Sequence, residues 1–365
     1  MQSPISRLLA LAAVITAVVL TGCSRKSPVP RPEPIVAPAC TPAMERKIGE
    51  PRVVENVTVY PITSCAQLDP GPIVTLDEAI ARGSATIHEV EGGGSVNTLV
   101  IENTGAVPLF VLAGTIVMGG KQDRQIGQDY LIGAKAKTDV DAFCVEHGRW
   151  TDLRDGKETA GLFRVAEVIA TSKVRVAGQY EKNQGKVWAK VAETNTAHAK
   201  APASDTLLAS VDDVALSKER DVFAARLEGS LAGANANDAL VGFAYAIDGE
   251  IKGARWFGHH RLYAMHAKKL LRSIALDAAL SRAERKLRGQ PIVEGPPPAT
   301  SAVEEFLAGV DQQVIKEERD TKGANVNAYK ESPKAYGSKM MLKSGSGKAA
   351  SSATAKALSA DVTAK

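Results

Sequence analysis

The sequence predicts an α+β fold. An antiparallel, sandwich-like β half spans about residues 52–150, helices and one β-hairpin follow, and a disordered tail ends the chain. Three observations predict this. Between residues 99 and 150, short runs rich in Val, Ile, Leu and Phe are closed by turn signals at Asn103-Thr104-Gly105, Ala113-Gly114, Gly119-Gly120, Gly127 and Gly133, which is strand-turn-strand patterning. After Trp150 the apolar period lengthens from 2 to about 3.6, the helical period. Asp248-Gly249 then separates two alternating runs, and both residues tolerate the positive φ of a tight hairpin turn.

The elements follow in order. Val53, Val54, Val57 and Val59 mark a first strand over 52–60. Thr75 to Gly83 reads as a short helix, with Thr75 or Asp77 as its cap and Gly83 at its end. Residues 84–90 and 96–102 read as strands around Gly92-Gly93-Gly94. That triplet lacks the spacing and the following lysine of a phosphate-binding loop. Pro108 opens a strand run, where a missing N–H does least harm. Leu162 to Ile169 and Asn183 to Asn195 read as helices, the second burying Val187, Trp188 and Val191. Ser217 is expected to cap a third helix, with Val222, Phe223, Leu227 and Leu231 on one stripe. The hairpin Leu240–Ile247 and Ile251–Phe257 comes next. The longest helix spans 259–287 and buries Tyr263, Ala267, Leu270 and Ile274. Its histidines, His259, His260 and His266, lack a carboxylate at ligand spacing, so they read as packing residues and no metal is expected.

Composition bounds the organisation. The chain has 365 residues, 44% hydrophobic and 24% charged, ordinary for a globular protein. Residues 1–22 read as a lipoprotein signal peptide. Arg7 is followed by the apolar run Leu8–Leu20, which is too short to span a bilayer. Leu20-Thr21-Gly22-Cys23 resembles a bacterial lipobox, with acylation expected at Cys23, and Ser24 resembles the outer-membrane-sorted class. An ordinary secretory signal with an incidental cysteine is the competing reading. Residues 23–51 form a Pro-rich linker, with prolines at 28, 30, 32, 34, 38 and 42, extended at about 3.1 Å per residue. A globular domain is expected over 52–288, a second Pro-rich linker over 289–300, and an amphipathic helix over 301–320, opened by a Ser301/Glu304 capping box. Residues 324–365 are Lys/Ala/Ser-rich with little to bury, and are expected to be disordered. Their lysines hold more than the whole formal charge of +4, leaving the rest near neutral. No nucleic-acid face is expected.

Cysteine usage assumes an oxidising compartment. Cys40 and Cys65 are the candidate disulfide, which leaves Cys144 as the odd thiol. If Val140–His147 is a strand, Phe143 and Val145 share one face while Cys144 and Glu146 share the other. If 121–126 is extended, Gln122 and Arg124 also share a face. Gln122, Arg124, Cys144, Glu146 and Arg149 are therefore expected to converge, beside Trp150. Glu146 and Cys144 are the candidate catalytic residues. Gln122, Arg124, Arg149, Trp150 and Thr115 are the candidate ligand-binding residues. A structural ion pair between Glu146 and an arginine is the alternative.

At Leu112-Ala113-Gly114, Gly120-Lys121-Gln122-Asp123-Arg124 and Cys144-Val145-Glu146-His147-Gly148-Arg149-Trp150 the sequence resembles the ARG and rhodanese–phosphatase-superfamily-associated protein domain. Gln184-Gly185-Lys186-Val187-Trp188 and Gly242 to Gly249 fit the same family, and the resemblance covers roughly 55–285. The family usually carries an acid after Leu-Ala-Gly, where this chain has Thr115; if that acid is catalytic in other members, the resemblance implies an inactive or binding-only copy. Its named gene associations imply ADP-ribose or phosphoester chemistry nearby. The expectation is a membrane-anchored lipoprotein of the bacterial cell envelope, on the outer membrane facing the periplasm, with a ligand- or partner-binding domain and no cofactor. Its partners would be membrane lipid through acylated Cys23, and an envelope protein or anionic polymer through the tail. The alternative is a hydrolase-like enzyme acting on a phosphate- or ADP-ribose-containing substrate at the Cys/Glu/Arg cluster.

Overall fold

In the computed structural model the chain divides into residues 1–39 and 40–365. The structure describes residues 46–92, 95–154, 156–234, 239–291, 296–343 and 357–365, all within the second unit. Among them the class is α+β, with antiparallel sheets and helices interleaved.

The N-terminal half forms a sandwich. A six-stranded antiparallel sheet runs in the order Arg164–Ile169, Thr115–Met118, Arg124–Ile126, Ala136–Cys144, Thr98–Asn103 and Ala85–Glu89. A three-stranded sheet packs on it: Tyr130–Ile132, Leu109–Val111 and Val74–Thr75. Leu99, Ile101, Val117, Ile126, Val140, Leu109, Val111 and Ile132 fill the space between them. Short aliphatic runs form these strands because β-branched side chains suit a pleated, buried surface.

A nine-stranded antiparallel sheet carries the rest of the domain. Its centre is the hairpin Leu240–Ile247 and Glu250–Phe257, turned at Asp248 (φ +54°) and Gly249 (φ +77°). Leu240–Ile247 pairs with Val57–Thr63, so the first and last thirds of the chain share one sheet. The helices Val214–Leu231 and His260–Leu287 cover its front through Phe223, Leu227, Tyr263, Leu270 and Ile274. The helix Thr300–Asp311 covers its back through Val303, Leu307 and Val310.

Several expected elements hold. Thr75 caps Leu76–Ala81 in a reciprocal capping box with Glu78, and Gly83 follows the helix at φ +66°. Asn183 caps Gln184–Ala197, with Val187 and Val191 buried and Trp188 half-buried. The long helix spans His260–Leu287.

Others are corrected. Leu162–Ile169 is not a helix: Arg164–Ile169 is a strand paired with Thr115–Met118. Its buried Ala166 and Val168 alternate with exposed Glu167, so the period-2 pattern prevailed. The cap of Val214–Leu231 is Asp213, not Ser217, and Val222 faces solvent. Ser301 and Glu304 form no capping box. The helix begins at Thr300 after Ala299 and stops at Asp311, leaving Val314 exposed before the strand Glu317–Asp320.

The largest correction is the tail. Asn325–Glu331, Ala335–Leu342 and Ala357–Ala364 are strands of the nine-stranded sheet, so the domain does not end at 288. Residues 344–356 of that tail lie outside the described residues. Ala357–Ala364 lies between Glu250–Phe257 and Ala335–Leu342, with Leu358 to Thr363 all buried. Paired on both sides, its backbone polar groups are satisfied without large apolar side chains. Composition alone does not reveal such a strand.

Candidate functional site

The expected Cys/Glu/Arg cluster resolves into two neighbouring groups. Cys144 ends the strand Ala136–Cys144 and pairs directly with Arg124, while Phe143 pairs with Gln125. Cys144 and Arg124 therefore share one face, and Phe143 joins Val145 in an apolar cluster on the other. Cys144 is fully buried and free, and its Sγ donates to Val96 O at 3.4 Å. The Gln184 amide bridges its backbone, accepting from Cys144 N at 2.9 Å and donating to Cys144 O at 2.8 Å. Burial pushes the Cys144 thiol up, against the pull of Arg124. Arg124 Nη1 donates to Glu89 Oε1 at 3.0 Å, and the guanidinium lies 5.7 Å from the half-exposed Trp150 ring.

Glu146 lies beyond the strand end, in a closed knot of charge. Its Oε1 accepts from Arg149 Nε at 3.0 Å, and its Oε2 accepts from Arg149 Nη2 at 2.8 Å, Arg154 Nη2 at 3.0 Å and Asp123 N at 3.0 Å. Asp123 faces the same Arg154 at 2.6 Å. Burial pushes Glu146 up, but the hydrogen bonds from Arg149 and Asp123 N, with the charge of Arg154, outweigh it and hold the carboxyl low. Asp123 goes the other way: burial and repulsion by Glu146 outweigh Arg154. Glu146 and Asp123 are fully buried, and two guanidiniums balance two carboxylates. This is the ion-pair alternative realised, with Arg154 and Asp123 as members the sequence did not single out. Gln122 joins its edge, donating to His147 O at 3.4 Å. Thr115 is elsewhere, paired with Ile169 at the start of its strand. Cys65 is disulfide-bonded; Cys23 and Cys40 lie outside the described residues.

His266 packs between Phe257 and Phe110, and burial lowers it to about 3, so it is neutral. His259 caps the long helix by accepting from Arg261 N. Among the described residues no group of three metal-ligating side chains converges.

A separate cavity opens between the six-stranded sheet, the nine-stranded sheet and the long helix. Leu112 and Ala113 line it, and Gly114 follows them in the chain. Gly114 sits at φ +81°, where a Cβ would lie 2.7 Å from Arg175 Cδ, so glycine is required by both conformation and space. Phe243, Tyr245, Arg255 and Asp361 line it from the nine-stranded sheet. Leu270, Ser273, Ile274 and Asp277 line it from one stripe of the long helix, and Ile169, Ser172 and Arg175 close the side. The interior has about 30 Å³ of room for water-sized groups, within about 440 Å³ of protein-free space that takes in the open mouth. None of Cys144, Glu146 and Thr115 lines this cavity.

Its electrostatics are specific. Arg175 Nη1 donates to Asp361 Oδ2 at 2.6 Å and Nη2 to Thr363 Oγ1 at 2.9 Å. Arg255 Nη2 donates to both oxygens of Asp129, at 2.7 and 2.6 Å. The Nε of each arginine has no partner. Burial would raise Asp361, but Arg175 and Arg255 hold its carboxyl below the usual range. Asp277 accepts from Ser172 N at 3.0 Å and from Ser172 Oγ, and burial pushes it up despite both bonds. Ser172 Oγ also lies 3.2 Å from Tyr245 OH. A π-helical turn, Val176–Tyr180, follows Arg175, and such turns recur at functional sites.

The sequence contained one signal for this cavity: Leu112-Ala113-Gly114 and Gly242–Gly249 were among the family-like pieces, and their side chains meet here. Arg175, Asp277 and Asp361 carried none, because each looks like an ordinary charged residue in a helix or a polar tail. No curated protein and no solved structure matches the chain. A family model does match it over residues 45–353, reaching past the roughly 55–285 expected and taking in the strands Asn325–Glu331 and Ala335–Leu342 but not Ala357–Ala364. The chain belongs to the family of the ARG and Rhodanese-Phosphatase-superfamily-associated Protein domain (ARPP-1).

Proposed function

We propose that this protein is a lipid-anchored binding protein of the bacterial cell envelope, whose ligand site is the cavity lined by Leu112, Ala113, Arg175 and Arg255. The anchor rests on the lipobox ending at Cys23 and the Pro-rich stretch behind it. The binding role rests on one observation: two buried guanidiniums, each with an unpaired Nε, line an open cavity that also has apolar walls. Few convergent polar groups in an apolar recess are what a small-molecule site needs. Hydrolysis at Cys144 and Glu146 is less supported. Glu146 has both oxygens engaged and a low pKa, which makes it a weak base. Burial keeps the Cys144 thiol protonated, which makes it a poor nucleophile.

Four small probes test the site: butylammonium, butyrate, butanamide and butanol. At least one is expected to raise the melting temperature of the wild type and to leave Ala113→Leu, which adds bulk to the cavity wall, unmoved. No shift with any probe overturns the cavity as a ligand site. For the anchor, Cys23→Ala is expected to move the protein from the membrane pellet to the soluble envelope fraction. Unchanged pelleting overturns it.

A further inference from the structure

Resting on the cavity as a ligand site, we propose that its ligand class is a small organic ammonium ion with a short apolar body, held by Asp277. The charge pattern carries this. Arg175 is matched by Asp361, and Arg255 is matched by Asp129. Asp277 lines the same cavity and forms no ion pair among the described residues; its bonds are from Ser172 N and Ser172 Oγ. Both are donors, so the carboxyl is presented as an acceptor and retains lone pairs for a third donor. The nearest lysine in sequence, Lys173, is drawn away to Glu284 at 2.6 Å. Burial lifts Tyr245 to about 12, so it adds a neutral hydroxyl rather than a charge.

Two matched pairs and one unmatched carboxylate leave the recess with one excess negative charge. An ammonium group balances it. A carboxylate or phosphate ligand would add to the excess and would find the arginine Nη groups already engaged by Asp361, Thr363 and Asp129. Leu112, Phe243, Leu270 and Ile274 provide apolar walls for a short hydrocarbon body. The two unpaired Nε–H groups of Arg175 and Arg255 suit a neutral acceptor such as a hydroxyl on the same ligand.

The test is calorimetric titration of the full-length protein at pH 8 with butylammonium, butyrate and butanol. Butylammonium is expected to bind the wild type about tenfold or more tighter than butyrate, and Asp277→Asn to lose that preference by about tenfold. Near-UV circular dichroism checks that the variant is folded. If it is not, the wild-type preference decides alone. Equal binding of butylammonium and butyrate, or unchanged selectivity in folded Asp277→Asn, overturns the ammonium class. Binding of butyrate or butanol without butylammonium overturns the class but leaves the cavity as a site. No binding by any probe overturns both.

Discussion

Arg175 Nη1 meets Asp361 Oδ2 at 2.6 Å, although the two residues are 186 positions apart in the sequence. This pair joins the segment after the N-terminal sandwich to the last strand of the nine-stranded sheet. Both side chains are buried, and breaking such a pair leaves a charge without compensation.

Deleting residues 344–365 removes the strand Ala357–Ala364 together with Asp361 and Thr363, the partners of Arg175. The truncated protein is expected to lose its cooperative unfolding transition, measured by circular dichroism. A melting temperature equal to that of the full chain would mean that the tail is a solvated appendage.

Glu146→Gln strips one negative charge from the knot that holds Arg149 and Arg154. The expected cost is about 3–5 kcal/mol, read by urea denaturation. The folded pKa of Glu146 lies below its unfolded value. Its stabilisation is therefore present above about pH 4 and lost as pH falls through the folded pKa. The wild type and Glu146→Gln should accordingly converge in acid. A neutral substitution at pH 7 with altered ligand binding would return the site to the Cys144/Glu146 side.

Cys144 is fully buried, and burial raises its thiol above the ordinary range. Labelling with a thiol reagent at pH 7 should be slow in the native protein and fast in denaturant. Fast native labelling would mean that Arg124 prevails and that the thiol is a usable nucleophile.

Asp277 has a folded pKa above its unfolded value. Its contribution is fully present below the unfolded pKa, near 4, and is lost as pH rises through the folded pKa. Asp277→Asn is therefore expected to melt higher than the wild type at pH 8. A gain of about 1 kcal/mol corresponds to about 2 °C or somewhat less in a domain this large. The advantage should vanish toward pH 4. An equal offset at both pH values would show that the side chain acts by packing and not by charge.

What the sequence determined by itself lies within short windows. The Thr75 cap, the turn at Asp248-Gly249, the helix that starts beside Asn183 and the long amphipathic helix each depend on a few adjacent residues, and each formed as expected. Face alternation likewise separated Phe143 and Val145 from Cys144. Only the tertiary structure decided that Arg164–Ile169 is a strand, because the edge offered by Thr115–Met118 selected it. Only tertiary structure placed Arg154 and Asp123 around Glu146, and Asp361 against Arg175. The physical reason is that local preference is set by neighbours in the chain, whereas the partner of a buried charge is set by which strands pair. Polar side chains carry no periodic signal of the distant group that will neutralise them.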